Sequence, residues 1–187
     1  VLLGKYLNEY PGLQDPEHVP PGWSEWYGLY HDKMHQYFDY RLIENGQTVA
    51  YGHAPEDYLT DVLAEKADDF LRRSAGDAAP FFMYLSLYAP HSPAIPAPRH
   101  EALFADVQAP RTKSFNEEDI YDKPKSVRKS KLKGEPLQEI DRLYQRRLQS
   151  LQAVDEMVAR LIHTLEESGQ LERTYIIFTS DNGFHMG

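Results

Sequence analysis

Twice along the 187 residues a long amphipathic helical stretch runs into a short, almost continuously apolar segment, and this alternation most narrows what the chain can fold into. From Asp57 to Ser74, Leu59, Val62, Leu63, Ala67, Phe70 and Leu71 recur at three- and four-residue spacing, with acids early and Arg72-Arg73 late, as a helix dipole favours. The apolar run 81–88 follows. In the second unit Leu137, Ile140, Leu143, Tyr144, Leu148, Leu151, Val154, Met157, Val158, Leu161, Ile162 and Leu165 keep one helical face apolar until Gly169 offers a stop. The run 174–180 follows that. Apolar strands separated by long helices predict an α/β architecture, a mostly parallel sheet with helices on both faces, and Val1-Leu2-Leu3 reads as a further strand.

The stretch between Tyr10 and Gly28 is rich in Pro, Gly and aromatic residues, which predicts an ordered excursion over the site without a long regular element. Trp23, Trp26, Tyr27 and Tyr30 could stack on a sugar ring, but large aromatic side chains are usually buried, which favours a small core for most of them. Asn45-Gly46 between β-prone runs predicts a hairpin over about residues 37–51. Residues 106–136 are polar and punctuated by proline, with Lys123, Lys125, Arg128, Lys129, Lys131 and Lys133 crowded together, and are expected to form a surface insertion. Such a basic run could attract a sulfated polysaccharide, but charge runs are common on exposed loops, which favours a solvated insertion. The chain begins and ends inside strand-like motifs, so a partial domain is expected over 1–187.

No apolar run approaches the roughly 18 residues that a membrane-spanning helix needs, so no membrane partner is expected. Cysteine is absent, which excludes disulfides, thiolate metal sites and a cysteine nucleophile within these residues. Any metal must be held by oxygen or nitrogen. The net charge of -9 argues against general nucleic-acid binding, which calls for a basic footprint.

In an open α/β sheet, ligands sit beyond the carboxyl ends of the strands. Three expected strand exits carry polar groups there: Lys5 after Val1-Leu2-Leu3, His91 after 81–88, and Asp181-Asn182 after 174–180. Asp181 and Asn182 offer the hard oxygen ligands that suit Ca²⁺ or Mg²⁺, or else form an Asx turn that ends the strand. His91 lies between Pro90 and Ser92-Pro93 and suits a general acid, or a loop histidine bonded to backbone. Lys5 can hold an anionic oxygen as a point charge, or be a solvated lysine.

Several segments in order, Gly4-Lys5-Tyr6-Leu7-Asn8-Glu9-Tyr10, Val19-Pro20-Pro21-Gly22-Trp23, Pro80-Phe81-Phe82, Ala89-Pro90-His91-Ser92-Pro93, Ser150-Leu151-Gln152-Ala153-Val154-Asp155 and Ser180-Asp181-Asn182-Gly183, together resemble the sulfatases, and the likeness runs over nearly the whole chain. It lies nearest to the members that act on 6-sulfated N-acetylglucosamine. The resemblance implies an alkaline-phosphatase-like fold, hydrolysis of a sulfate ester by a formylglycine, and a divalent cation, Ca²⁺ by expectation, holding the sulfate. By that likeness Asp181 and Asn182 are metal ligands, Lys5 binds sulfate oxygens, and His91 assists departure of the sugar alcohol. Asn8 stands where many sulfatases have a histidine near this lysine, and supplies a hydrogen bond to substrate in its place. His185 either touches substrate or supports a metal ligand. A sulfated glycan is the implied substrate, the formylglycine-generating enzyme the implied partner, and an extracytoplasmic compartment the implied location.

The family makes formylglycine from the first residue of a Cys/Ser-x-Pro-x-Arg motif, and no stretch of these residues has that spacing. The expectation is that the motif and a pair of metal-binding aspartates precede Val1, leaving 1–187 as the central to C-terminal part of the catalytic domain and inactive alone. A phosphonate or phosphodiester hydrolase of the same superfamily, or a non-catalytic glycan-binding relative, are the alternatives.

Overall fold

The computed structural model describes residues 1–12, 15–30, 37–125, 128 and 132–183. Five short strands form one sheet: β1 (Leu2–Gly4), β2 (Trp26–Leu29), β3 (Arg41–Glu44), β4 (Gln47–Ala50) and β5 (Tyr84–Ser86), in the order β4-β3-β2-β1-β5. The sheet is mixed. β1 runs parallel to both neighbours, β2 and β5, while β2, β3 and β4 alternate in direction.

The hairpin forms where Asn45-Gly46 predicts it. Both residues take positive φ, 51° and 88°, the combination a two-residue turn needs to match strand twist. Asn45 then does a second job. Its amide N–H donates to the Trp26 carbonyl, and its Oδ1 accepts from the Trp26 N–H at 2.8 Å, so the turn is tied to β2. Strand β2 lies inside the aromatic, turn-rich stretch and was not foreseen, because its Gly28 and flanking turns mask a four-residue strand.

Helix α1 (Leu59–Ser74) and helix α2 (Glu135–Glu167) match the two amphipathic patterns. The end of α2 is a Schellman stop: Gly169 takes φ 67°, its N–H donates to the Glu166 carbonyl, and the Gln170 N–H reaches back to the Leu165 carbonyl at 2.8 Å. Among the described residues both helices cover one face of the sheet rather than one each. Leu3, Leu42, Leu59, Leu63, Phe70 and Leu165 share a core on that face, against which Leu85 packs, and Leu85 also touches the cluster of Ala64, Val154 and Met157 between the helices. The opposite face buries Leu2, Trp26 and Ile43 under Tyr6, Tyr10 and Trp23. Trp26 is fully buried and meets Tyr6 edge-on at 5.1 Å, so the aromatic stretch is a core, as its residue types favour.

The helices are cross-tied by Asp68 of α1, a buried carboxylate that accepts from Arg160 at 2.8 Å, Arg72 at 3.3 Å and the Thr164 hydroxyl. Burial alone would raise its pKa, but these hydrogen bonds outweigh it and hold the carboxyl below its ordinary range.

Only the central three residues of run 81–88 join the sheet. The run 174–180 does not form the predicted strand. It makes no ladder with any described strand, and Tyr175, Ile176, Ile177 and Phe178 are exposed, Tyr175 to 98%. An apolar run becomes a strand only when a neighbour takes its amide groups, and no described strand does so here. Residues 101–134 carry no helix or strand among those described.

Candidate active site

Lys5 and His91 follow two neighbouring strands, β1 and β5, that pair in parallel. Gly4 pairs with Ser86, so both strands end at the same level and the chains beyond them leave from the same edge of the sheet. Gly4 permits this close approach. It has φ 100°, and a Cβ built on it would lie 2.0 Å from the Ser86 carbonyl oxygen. That carbonyl instead accepts the Lys5 N–H at 2.8 Å, which fixes the backbone from which the ammonium projects. Lys5 is half-buried; Asn8 follows on an exposed turn.

His91 sits five residues beyond β5 with its imidazole exposed. Its Nδ1 is 2.8 Å from the Ser92 carbonyl, and a carbonyl can only accept, so Nδ1 carries a proton and Nε2 faces outward. The outward nitrogen is then the one that can carry and release a proton. The ring leans on Tyr88, centroids 4.9 Å apart. Three tyrosine hydroxyls donate to backbone carbonyls of this loop: Tyr37 to His91 at 2.6 Å, Tyr88 to Ser92 at 3.1 Å and Tyr58 to Ile95 at 2.9 Å. Just beyond, Arg99 joins the loop to both helices through Asp61 at 2.6 Å and Glu156 at 2.9 Å. None of the three tyrosines was legible as a site residue, because they come from separate segments and each alone reads as core.

Asp181 and Asn182 are exposed at the end of the unpaired run. The Asn182 amide donates to the Gly183 carbonyl at 3.3 Å, a local turn contact, and neither residue bonds to Lys5 or His91. Among the described residues no three carboxylate or imidazole groups gather where a metal could sit. The two oxygens are of the type a hard cation takes, but Ca²⁺ needs about six to eight. His185 lies outside the described residues.

A cavity of about 880 Å³ opens between Val1, Trp23, Glu25, Phe70, Arg73 and Phe82. It lies at the start of β1, at the far end of that strand from Lys5. The candidate residues Lys5 and His91 instead follow the carboxyl ends of β1 and β5, at the opposite edge of the sheet.

Comparison with known proteins gives a consistent result. Residues 13–187 match the family model described as Sulfatase. The whole chain is 43% identical to human N-acetylglucosamine-6-sulfatase, of which it covers 34%, and 99% of it is 37% identical to the extracellular sulfatase SULF-1 homolog of Drosophila melanogaster, covering 16% of that protein. The chain thus spans about a third of the length of the N-acetylglucosamine-6-sulfatase. A solved structure of a protein in complex with its substrate D-glucosamine-2-N,6-O-disulfate superposes with a TM-score of 0.61 over 91% of this chain and 44% of that one, at 22% identity. That likeness is one of fold.

Proposed function

Because the chain belongs to the sulfatase family, we propose that it forms part of a catalytic domain that removes sulfate from a sulfated glycan, the 6-O-sulfate of N-acetylglucosamine. The observation that carries the substrate is the 43% identity to N-acetylglucosamine-6-sulfatase along the whole chain. The strand exits of β1 and β5 supply chemistry that suits it. The Lys5 ammonium neutralises sulfate oxygens, and His91, protonated at Nε2, gives its proton to the sugar oxygen as the bond between that oxygen and sulfur breaks. The sugar then leaves as an alcohol rather than as a poor alkoxide. Asn8 lies close in sequence to Lys5 and is available to hydrogen-bond substrate; His185 follows the metal motif.

A divalent cation, Ca²⁺ by donor type, would be held through the oxygens of Asp181 and Asn182 together with groups outside this chain's described residues, and would offset charge on the sulfate. Formylglycine, when present, supplies the nucleophile; none of these 187 residues provides its precursor motif. The formylglycine-generating enzyme is accordingly the maturation partner, and an extracytoplasmic location agrees with the extracellular sulfatases among the relatives. No helix among the described residues is long and apolar enough to cross a membrane.

The test is sulfate release by the complete protein, matured with formylglycine-generating enzyme, from N-acetylglucosamine-6-sulfate, and hydrolysis of a phosphodiester of matched size to a phosphomonoester and an alcohol. Selective sulfate release is expected. Cleavage of the phosphodiester alone would move the protein to the phosphodiester hydrolases of the superfamily, and turnover of neither would leave glycan binding as the better reading.

A further inference from the structure

Three tyrosine hydroxyls donate to carbonyls of the loop that carries His91, Tyr37 and Tyr58 from outside it and Tyr88 from its own start, and we propose that Tyr37 and Tyr88 are positioning residues that aim the His91 imidazole at the leaving oxygen. The proposal rests on the general-acid reading of His91 given above.

The contacts form a continuous support from the core to the reacting nitrogen. Tyr37 is fully buried, stacks with the equally buried Tyr58 at 6.0 Å, and meets Tyr88 edge-on at 5.3 Å. Its hydroxyl grips the carbonyl of His91 itself. The ring of Tyr88 supports the imidazole, while its hydroxyl holds the Ser92 carbonyl, the same carbonyl that takes the Nδ1 proton of His91. Tyr88 therefore fixes both the face of the imidazole and the acceptor that sets its tautomer. Tyr58 pins Ile95 and closes the loop.

Packing alone does not account for this use of tyrosine. Phenylalanine would fill the same space, and a buried hydroxyl is costly unless bonded. Each of the three hydroxyls is directed at a carbonyl between positions 91 and 95. Burial pushes the Tyr37 and Tyr58 phenols well above their ordinary pKa, so they remain donors wherever the enzyme works. Without them the loop keeps its own turn bonds, His91 N–H to the Tyr88 carbonyl and Ala94 N–H to the His91 carbonyl, both 2.9 Å. Those bonds set the turn but not its placement relative to the sheet. Placement matters, since a misplacement of about 1 Å can cost about a hundredfold in rate.

Two substrates separate positioning from general damage. The sugar sulfate leaves as an alkoxide and needs a proton, whereas 4-nitrophenyl sulfate leaves as a stable phenolate and needs none. In the complete, matured enzyme, Tyr37→Phe is expected to lower kcat on N-acetylglucosamine-6-sulfate about tenfold, with KM within about twofold and the aryl sulfate unaffected. His91→Ala should show the same selectivity with a fall of about a hundredfold or more. Should Tyr37→Phe fail to fold, Tyr88→Phe removes the bond to Ser92 at a half-buried ring and is expected to give the same leaving-group dependence. Equal slowing of both substrates by the tyrosine variants, or of neither, while His91→Ala remains selective, overturns the positioning role alone. A His91→Ala enzyme without leaving-group selectivity overturns the acid reading and the positioning role with it.

Discussion

Run 81–88 places Tyr84–Ser86 beside β1 and turns Leu85 onto both helices, whereas run 174–180, also reached directly from a long helix, finds no strand and leaves Tyr175, Ile176, Ile177 and Phe178 largely in solvent. The polar groups beyond the two runs differ in the same way. The His91 loop accepts from three tyrosine hydroxyls, those of Tyr37, Tyr58 and Tyr88, while Asp181-Asn182 keeps only a local turn contact. A functional group at a strand exit is therefore placed only as well as its strand is paired.

The pairing of the first run is the place to break this comparison. Gly4→Val forces a side chain into the Ser86 carbonyl at a positive φ and should cost about 3 kcal/mol or more, seen as a lower urea midpoint and loss of protection of β1 and β5 amides in hydrogen exchange. A near-neutral Gly4→Val would mean that β1 and β5 are not in contact as described. Leu85→Ala, which vacates space beside both helices, is expected to cost about 2 kcal/mol. A loss under about 0.5 kcal/mol would reduce the first run to the status of the second.

The helix cross-tie gives a pH-dependent effect of intermediate size. Asp68 binds its proton less tightly folded than unfolded, so its stabilisation is present above about pH 4 and fades as pH falls through the lowered folded value. Chemical denaturation from pH 6 down to pH 3 should show a steeper loss for this chain than for Asp68→Asn; parallel curves would show that the tie is not ionic. The smallest effect is expected at Ile177, where Ile177→Lys should change stability by less than about 0.5 kcal/mol yet reduce self-association on light scattering. Marked destabilisation there would reveal packing for the second run and erase the contrast.

Local rules made much of the chain legible. The apolar periodicity of 57–74 and 137–165 marks α1 and α2, Gly169 their second stop, and Asn45-Gly46 the hairpin, because each depends on contacts or dihedral preferences within a few residues. Lys5 and His91 were readable as candidates because a polar residue just past an apolar run is itself a sequence pattern. Strand β2 was not, since Trp26-Tyr27-Gly28-Leu29 shows its character only against β1 and β3. Nor were Tyr37 and Tyr58, which the fold brings from distant positions to the loop that Tyr88 begins.

By itself the sequence determined which segments are helical, where the hairpin turns and which residue types could meet a sulfate, since propensity, turn geometry and side-chain chemistry act over short range. Only the tertiary structure decided which apolar run becomes a strand, on which face of the sheet the helices lie, and that the His91 loop is clamped by hydroxyls. Those outcomes depend on whether a distant partner is present to take an amide, a carbonyl or an apolar surface, and no local pattern encodes that partner.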